Sequence, residues 1–176
     1  MLIICDTHIL IFWQDAPNRF SEKAKKAFDS GLEKRNLACS DISFWEIAML
    51  IRTGRLRSDI SSSQYINDLT LALSLSVLPM TAEIASLSQQ DFFIHKAPAD
   101  RLIAATAICN NAPLISADQK LQDIEQLKII WLCPTFANVR FRKKRIVAVC
   151  TRNPQSLIQG LRSCSANINV YSKNNR

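Results

Sequence analysis

Five short, mostly apolar runs, at 2–5, 37–39, 77–79, 113–116 and 128–131, constrain this chain more than any other feature. Each is too short for a helix and lacks a sustained polar alternation, as expected of strands covered on both faces of a parallel sheet. Between them, apolar residues recur at helical spacing. Ser21-Glu22 opens one such stretch, which continues through Ala24, Ala27, Phe28 and Leu32. Ser43, with Glu46 three residues on, has the form of a capping box, and Gly54 is placed to end that helix. Further helices are expected over 65–75, from Thr81, and from Pro98 until Asn110-Asn111 and Pro113 stop it. Strands alternating with helices predict an α/β fold, a parallel sheet with helices on both faces. At 176 residues, 48% of them hydrophobic, the chain can build one domain with a proper core.

Charge divides the chain in two. Residues 1–134 hold thirteen Lys and Arg against all fifteen acids, a net −2. Residues 135–176 hold nine Lys and Arg and no acid. The overall +7 therefore belongs to the tail. We expect a folded domain over 1–134 and a basic C-terminal extension over 135–176, outside the fold and without sustained periodicity. The preferred reading of this extension is non-functional, a misread or frameshifted end of the gene; the alternative is an RNA-binding arm, to which nine cations would give a salt-dependent, sequence-blind affinity. Only three glycines occur and none cluster, which excludes phosphate-cradling and dinucleotide-binding loops. The six cysteines are scattered, with no CxxC pair, and read as reduced thiols of a cytoplasmic protein. No signal peptide and no membrane span is expected.

Four acids stand at informative places. Asp6 and Asp118 each follow the carboxyl end of an expected strand, where open α/β sheets bind ligands. Asp100 lies in the first turn of the apolar helix from Pro98, and Glu46 near the start of another. Three of them have a purely structural reading beside the functional one. Asp6 can cap the next helix, Asp100 can complement a helix dipole, and Glu46 can close the capping box. In a doubly wound sheet, however, strand ends and the following helix starts share one edge, so the four can converge. Clustered carboxylates repel unless a cation neutralises them. Oxygen ligands without Cys or His select a hard ion, Mg²⁺ or Mn²⁺, which binds phosphate oxygens and acidifies water. The chemistry expected is phosphodiester hydrolysis without a covalent protein intermediate. His8 and His95, two isolated histidines, read as packed or solvent-exposed. Arg101 can pair with a local acid, the preferred reading, or reach a substrate phosphate; Lys96, by its loop position, is the better phosphate contact.

The stretches around Asp6 (Ile-Ile-Cys-Asp-Thr-His-Ile-Leu), Ser43-Phe-Trp-Glu46-Ile-Ala, Pro98-Ala-Asp100-Arg-Leu-Ile-Ala-Ala-Thr-Ala and Leu-Ile-Ser116-Ala-Asp118 resemble the signature stretches of PIN-domain proteins, in particular the VapC toxins of bacterial type II toxin–antitoxin pairs. The resemblance covers about residues 1–133. It implies a three-layer α/β/α sandwich and a Mg²⁺-dependent endoribonuclease. Asp6, Glu46, Asp100 and Asp118 match the acidic metal-site positions, and Ser116 the Ser/Thr beside the last acid. It also implies an RNA substrate, a small antitoxin protein as partner and a homodimer. Two departures stand out: the basic tail is extra, and Ala97 replaces a further acid that many relatives carry before Pro98. Two other readings compete. A haloacid-dehalogenase-like phosphatase would use Asp6 as nucleophile, but His8 stands where that chemistry wants a second acid. A non-catalytic PIN-like module would bind RNA or a partner without cleaving.

Overall fold

The structure, a computed structural model, describes residues 1–93 and 97–131. Lys96, His95 and the basic extension lie outside the described residues. The strands are β1 (Ile3–Cys5), β2 (Leu37–Ser40), β3 (Ser76–Leu78) and β4 (Leu114–Ile115). They form one parallel sheet in the order β3-β2-β1-β4. The helices are α1 (Thr7–Asp15), α2 (Glu22–Glu33), α3 (Ile42–Arg52), α4 (Ser62–Leu73), α5 (Ala82–Leu87) and α6 (Pro98–Cys109).

Successive strand residues point to opposite faces, and each face is covered. Cys5, Leu37, Cys39 and Ile115 join a core with α1, α2, α3 and α4 through Leu10, Phe28, Ile47 and Leu69. Ile4, Ala38 and Leu114 join a second core with α5 and α6 through Ile84, Ile103 and Ala107. This is the three-layer α/β/α sandwich that the apolar runs and the resemblance predict.

Local chemistry sets most helix boundaries. The Ser21, Ser61 and Thr81 hydroxyls accept N–H groups of the first turns of α2, α4 and α5. Pro98 opens α6. Gly54, with φ +65°, takes the left-handed turn after α3.

Two expectations need correction. The run at 128–131 forms one parallel bridge, Leu114 with Ile129, rather than a strand. Leu114 N–H donates to Lys128 O and Ile130 N–H to Leu114 O, both at 2.8 Å. β4 spans only two residues before the chain turns towards Asp118, so there is no longer edge to pair with. Ser43, in turn, is not an N-cap. The N–H of Asp41 donates to Leu78 O and its Oδ2 accepts from Met80 N–H, tying Asp41 to the end of β3. The helix therefore starts at Ile42, and the Ser43 hydroxyl is buried inside it without a partner. Among the described residues, no helix is long and apolar enough to cross a membrane.

Candidate active site

Asp6 ends β1, and its N–H donates to Ile115 O of β4 at 3.0 Å. It is also the N-cap of α1, its Oδ1 accepting from His8 N–H at 3.4 Å. Capping and site placement thus coexist. The side chain is buried, at 4% exposure for the residue, and Ser116 Oγ donates to its Oδ2 at 2.6 Å. Ser116 Oγ also accepts from Asp118 N–H at 3.1 Å, so this one hydroxyl ties the ends of β1 and β4 together. Asp118 then caps a short 3-10 turn, accepting from Lys120 N–H at 2.9 Å.

Glu46 stands in the second turn of α3 and is buried. Without Ser43 as a cap, the capping-box reading fails, and Glu46 instead lies within electrostatic reach of Asp6. Burial raises its pKa above the usual carboxylate range, and the Asp6 charge adds to this. The Thr7 hydroxyl, His8 and Arg55 oppose the rise. Glu46 Oε2 is buried without a hydrogen bond of good geometry. Asp100 lies partly buried in the first turn of α6, where it also suits the helix dipole.

His8, read as packed or solvent-exposed, is half-buried beside Asp6. Its Nδ1 lies 3.9 Å from Asp6 Oδ1. Burial opposes its protonation, but Asp6, Glu46 and Asp100 together push its pKa up to about 9. For Asp6 itself, burial would raise the pKa, yet His8 and the hydrogen bond from Ser116 outweigh it and hold the carboxyl low. The histidine ring thus senses three of the four acids from one position. The clue in the sequence was the spacing: two residues after an N-cap, a side chain lies beside its carboxylate.

Arg101 is partly buried on α6, and its Nε is buried without a hydrogen-bond partner. The described residues give it no ion pair, against the preference for a local acid. Trp45, read as core or flank, is 58% exposed.

Among the described residues, no three His, Cys, Asp or Glu side chains stand close enough to make a ready cage for a metal ion. The donor set still suits a hard divalent ion. Such ions keep several waters and take only one or two carboxylates. Asp6 and Glu46 offer buried carboxylate oxygen, and Glu46 Oε2 lacks the well-formed hydrogen bond that a buried oxygen requires.

The PIN domain family model matches residues 3–127. Over 125 residues the chain is 30% identical to Ribonuclease VapC22 of Mycobacterium tuberculosis, spanning 68% of this chain and 89% of that protein. The fold is similar to that of VapBC2 from Rickettsia felis bound to a DNA fragment from their promoter, with TM-score 0.55, 19% identity, and 73% of this chain and 97% of that chain covered. It is also similar to DNA-bound VapBC from Salmonella typhimurium, with TM-score 0.54, 19% identity, and the same coverages of 73% and 97%. A family model that runs from β1 past β4, over 125 of the 176 residues, establishes that the chain belongs to the PIN domain family.

Proposed function

We propose that this chain is an endoribonuclease, the toxin of a toxin–antitoxin pair, which hydrolyses RNA phosphodiester bonds with water and depends on Mg²⁺ or Mn²⁺. The observation that best supports this is the linked acid edge. Ser116 Oγ donates to the Asp6 carboxylate and accepts from the Asp118 backbone N–H, and His8 lies within electrostatic reach of Asp6, Glu46 and Asp100. The likeness to a ribonuclease supplies the substrate class.

In this reading Asp6 and Glu46 hold the ion, with Asp100 and Asp118 completing the negative set. A bound Mg²⁺ or Mn²⁺ would supply an acidified water and neutralise charge on the leaving oxygen. The chain's own residues prepare the site. Ser116 fixes Asp6 through Oδ2, and Oδ1 meets the His8 amide at 3.4 Å and the His8 ring at 3.9 Å, so an ion at Oδ1 would compete with His8. The Asp118 N–H fixes Ser116 in turn. Arg101, with a buried and unpartnered Nε, and Lys96 in the loop before α6 are the phosphate contacts. An antitoxin protein is the partner that the VapBC likeness suggests, and a second copy of the chain the one that the resemblance to VapC toxins implies. PIN family membership sets the phosphatase reading aside.

The test is cleavage of RNA by the full chain. Cleavage should require Mg²⁺ or Mn²⁺, stop in EDTA and be lost in Asp6→Asn. Cleavage that persists in EDTA, or intact RNA with either ion present, overturns the proposal; intact RNA that is nevertheless bound leaves a non-catalytic binding module.

A further inference from the structure

A phosphodiester strand approaching a four-acid edge is repelled by it, so the approach route needs compensating charge. One exposed stretch beside Glu46 supplies it. On α3, Trp45 and Arg52 are seven residues, two helical turns, apart and share a stripe. Both are exposed, Trp45 at 58%. Beyond the Gly54 turn, Arg55 and Arg57 are exposed as well. Between 52 and 57 there are three arginines and no acid, with Asp59 the next charge along the chain. Among the described residues none of the three arginines forms a salt bridge. Arg55 also acts electrostatically on Glu46.

The indole cannot be explained by the core, since the inner stripe of α3 is supplied by Ile47 and Leu50. Nor does it continue a broad apolar patch. The other large exposed hydrophobics, Met1, Leu71, Val77, Met80 and Phe92, belong to other elements and loops. A lone aromatic platform flanked by unpaired arginines has the composition of a single-strand track. A base stacks on the ring while arginines follow the phosphates.

Resting on the ribonuclease reading above, we infer that Trp45, Arg52, Arg55 and Arg57 form the track that leads single-stranded RNA to the acid edge. Trp45 stacks one unpaired base next to the scissile phosphate, and the arginines neutralise the backbone as it approaches. A base held in a duplex cannot stack there, so the track selects unpaired segments.

The experiment compares steady-state cleavage of a single-stranded RNA by the full-length wild type, Trp45→Ala, Trp45→Phe, Arg52→Gln and Arg57→Gln. All four substitutions are at exposed positions, so melting temperatures should match. Trp45→Ala should raise KM about tenfold with kcat nearly unchanged, and Trp45→Phe should recover most of the loss. Each Arg→Gln change should reduce the salt slope of RNA binding by about one. An active wild type with an unaltered KM in Trp45→Ala overturns the track and leaves the nuclease reading intact. The same unaltered KM with a lost antitoxin complex or a changed oligomer mass would assign the face to a protein partner instead. A wild type inert on all RNA overturns both proposals.

Discussion

At the scale of single residues, Asp6 and Glu46 are opposite cases. Asp6 is held ionised by Ser116 and His8, so its charge stabilises the fold. Replacing it with Asn removes an interaction, and Asp6→Asn should lower the melting temperature as well as abolish cleavage. Glu46 is held towards its neutral form by burial and by Asp6. The unfolded chain ionises this glutamate at its ordinary pKa and the folded chain only higher, so ionisation favours unfolding. The penalty is absent at acid pH, grows as pH rises through the raised value, and persists at neutrality. Glu46→Gln should therefore melt higher than wild type at neutral pH, lose that advantage in acid, and be inactive. Thermal melts across pH check both signs. Ser116→Ala should cut activity about 10–100-fold, as loss of a group orienting a ligating carboxylate does. It leaves Asp6 Oδ2 without its donor and should cost about 1–3 kcal/mol in denaturant titrations.

At the scale of elements, caps were readable and tertiary ties were not. Ser21, Ser61 and Thr81 cap helices because their hydroxyls meet the N–H groups of the adjacent turn, a relation written in sequence spacing. Ser43 misled because Asp41 is anchored by Leu78 O and Met80 N–H from a strand nearly forty residues away, which starts α3 early. Glu46, in the second turn of this helix, is buried rather than placed to close a cap. The strand carboxyl ends at Asp6 and Asp118 were legible from the apolar runs alone. The Ser116 bridge between them depends on β1 and β4 being neighbours, which strand order decides and local pattern does not. The exposure of Trp45 was hidden for a similar reason: a helix with apolar residues on several faces does not say which face the sheet covers. Gly54→Ala tests the element scale directly. Nothing crowds a Cβ there, but φ is +65°, so the change should cost about 1 kcal/mol without altering cleavage.

At the scale of the whole molecule, charge is divided along the sequence. The expected domain at 1–134 carries a net −2, and the remaining 42 residues carry every surplus cation. If the extension lies outside the fold, a chain ending after Pro134 should keep its circular dichroism and its cleavage. It should lose only salt-dependent affinity for RNA, measured at two ionic strengths. The acid edge itself is assembled from β1, α3, α6 and the end of β4, four elements drawn from across the described chain, so it exists only in the folded molecule. Its shared use of one hard cation is the claim on which the functional account rests. Titration of Mn²⁺ into the full chain, followed by electron paramagnetic resonance, tests it most directly. The account predicts a site that Asp6→Asn and Glu46→Gln each weaken at least about tenfold, while Trp45→Ala leaves it unchanged. Equal Mn²⁺ affinity in the wild type and in both carboxylate variants would contradict it.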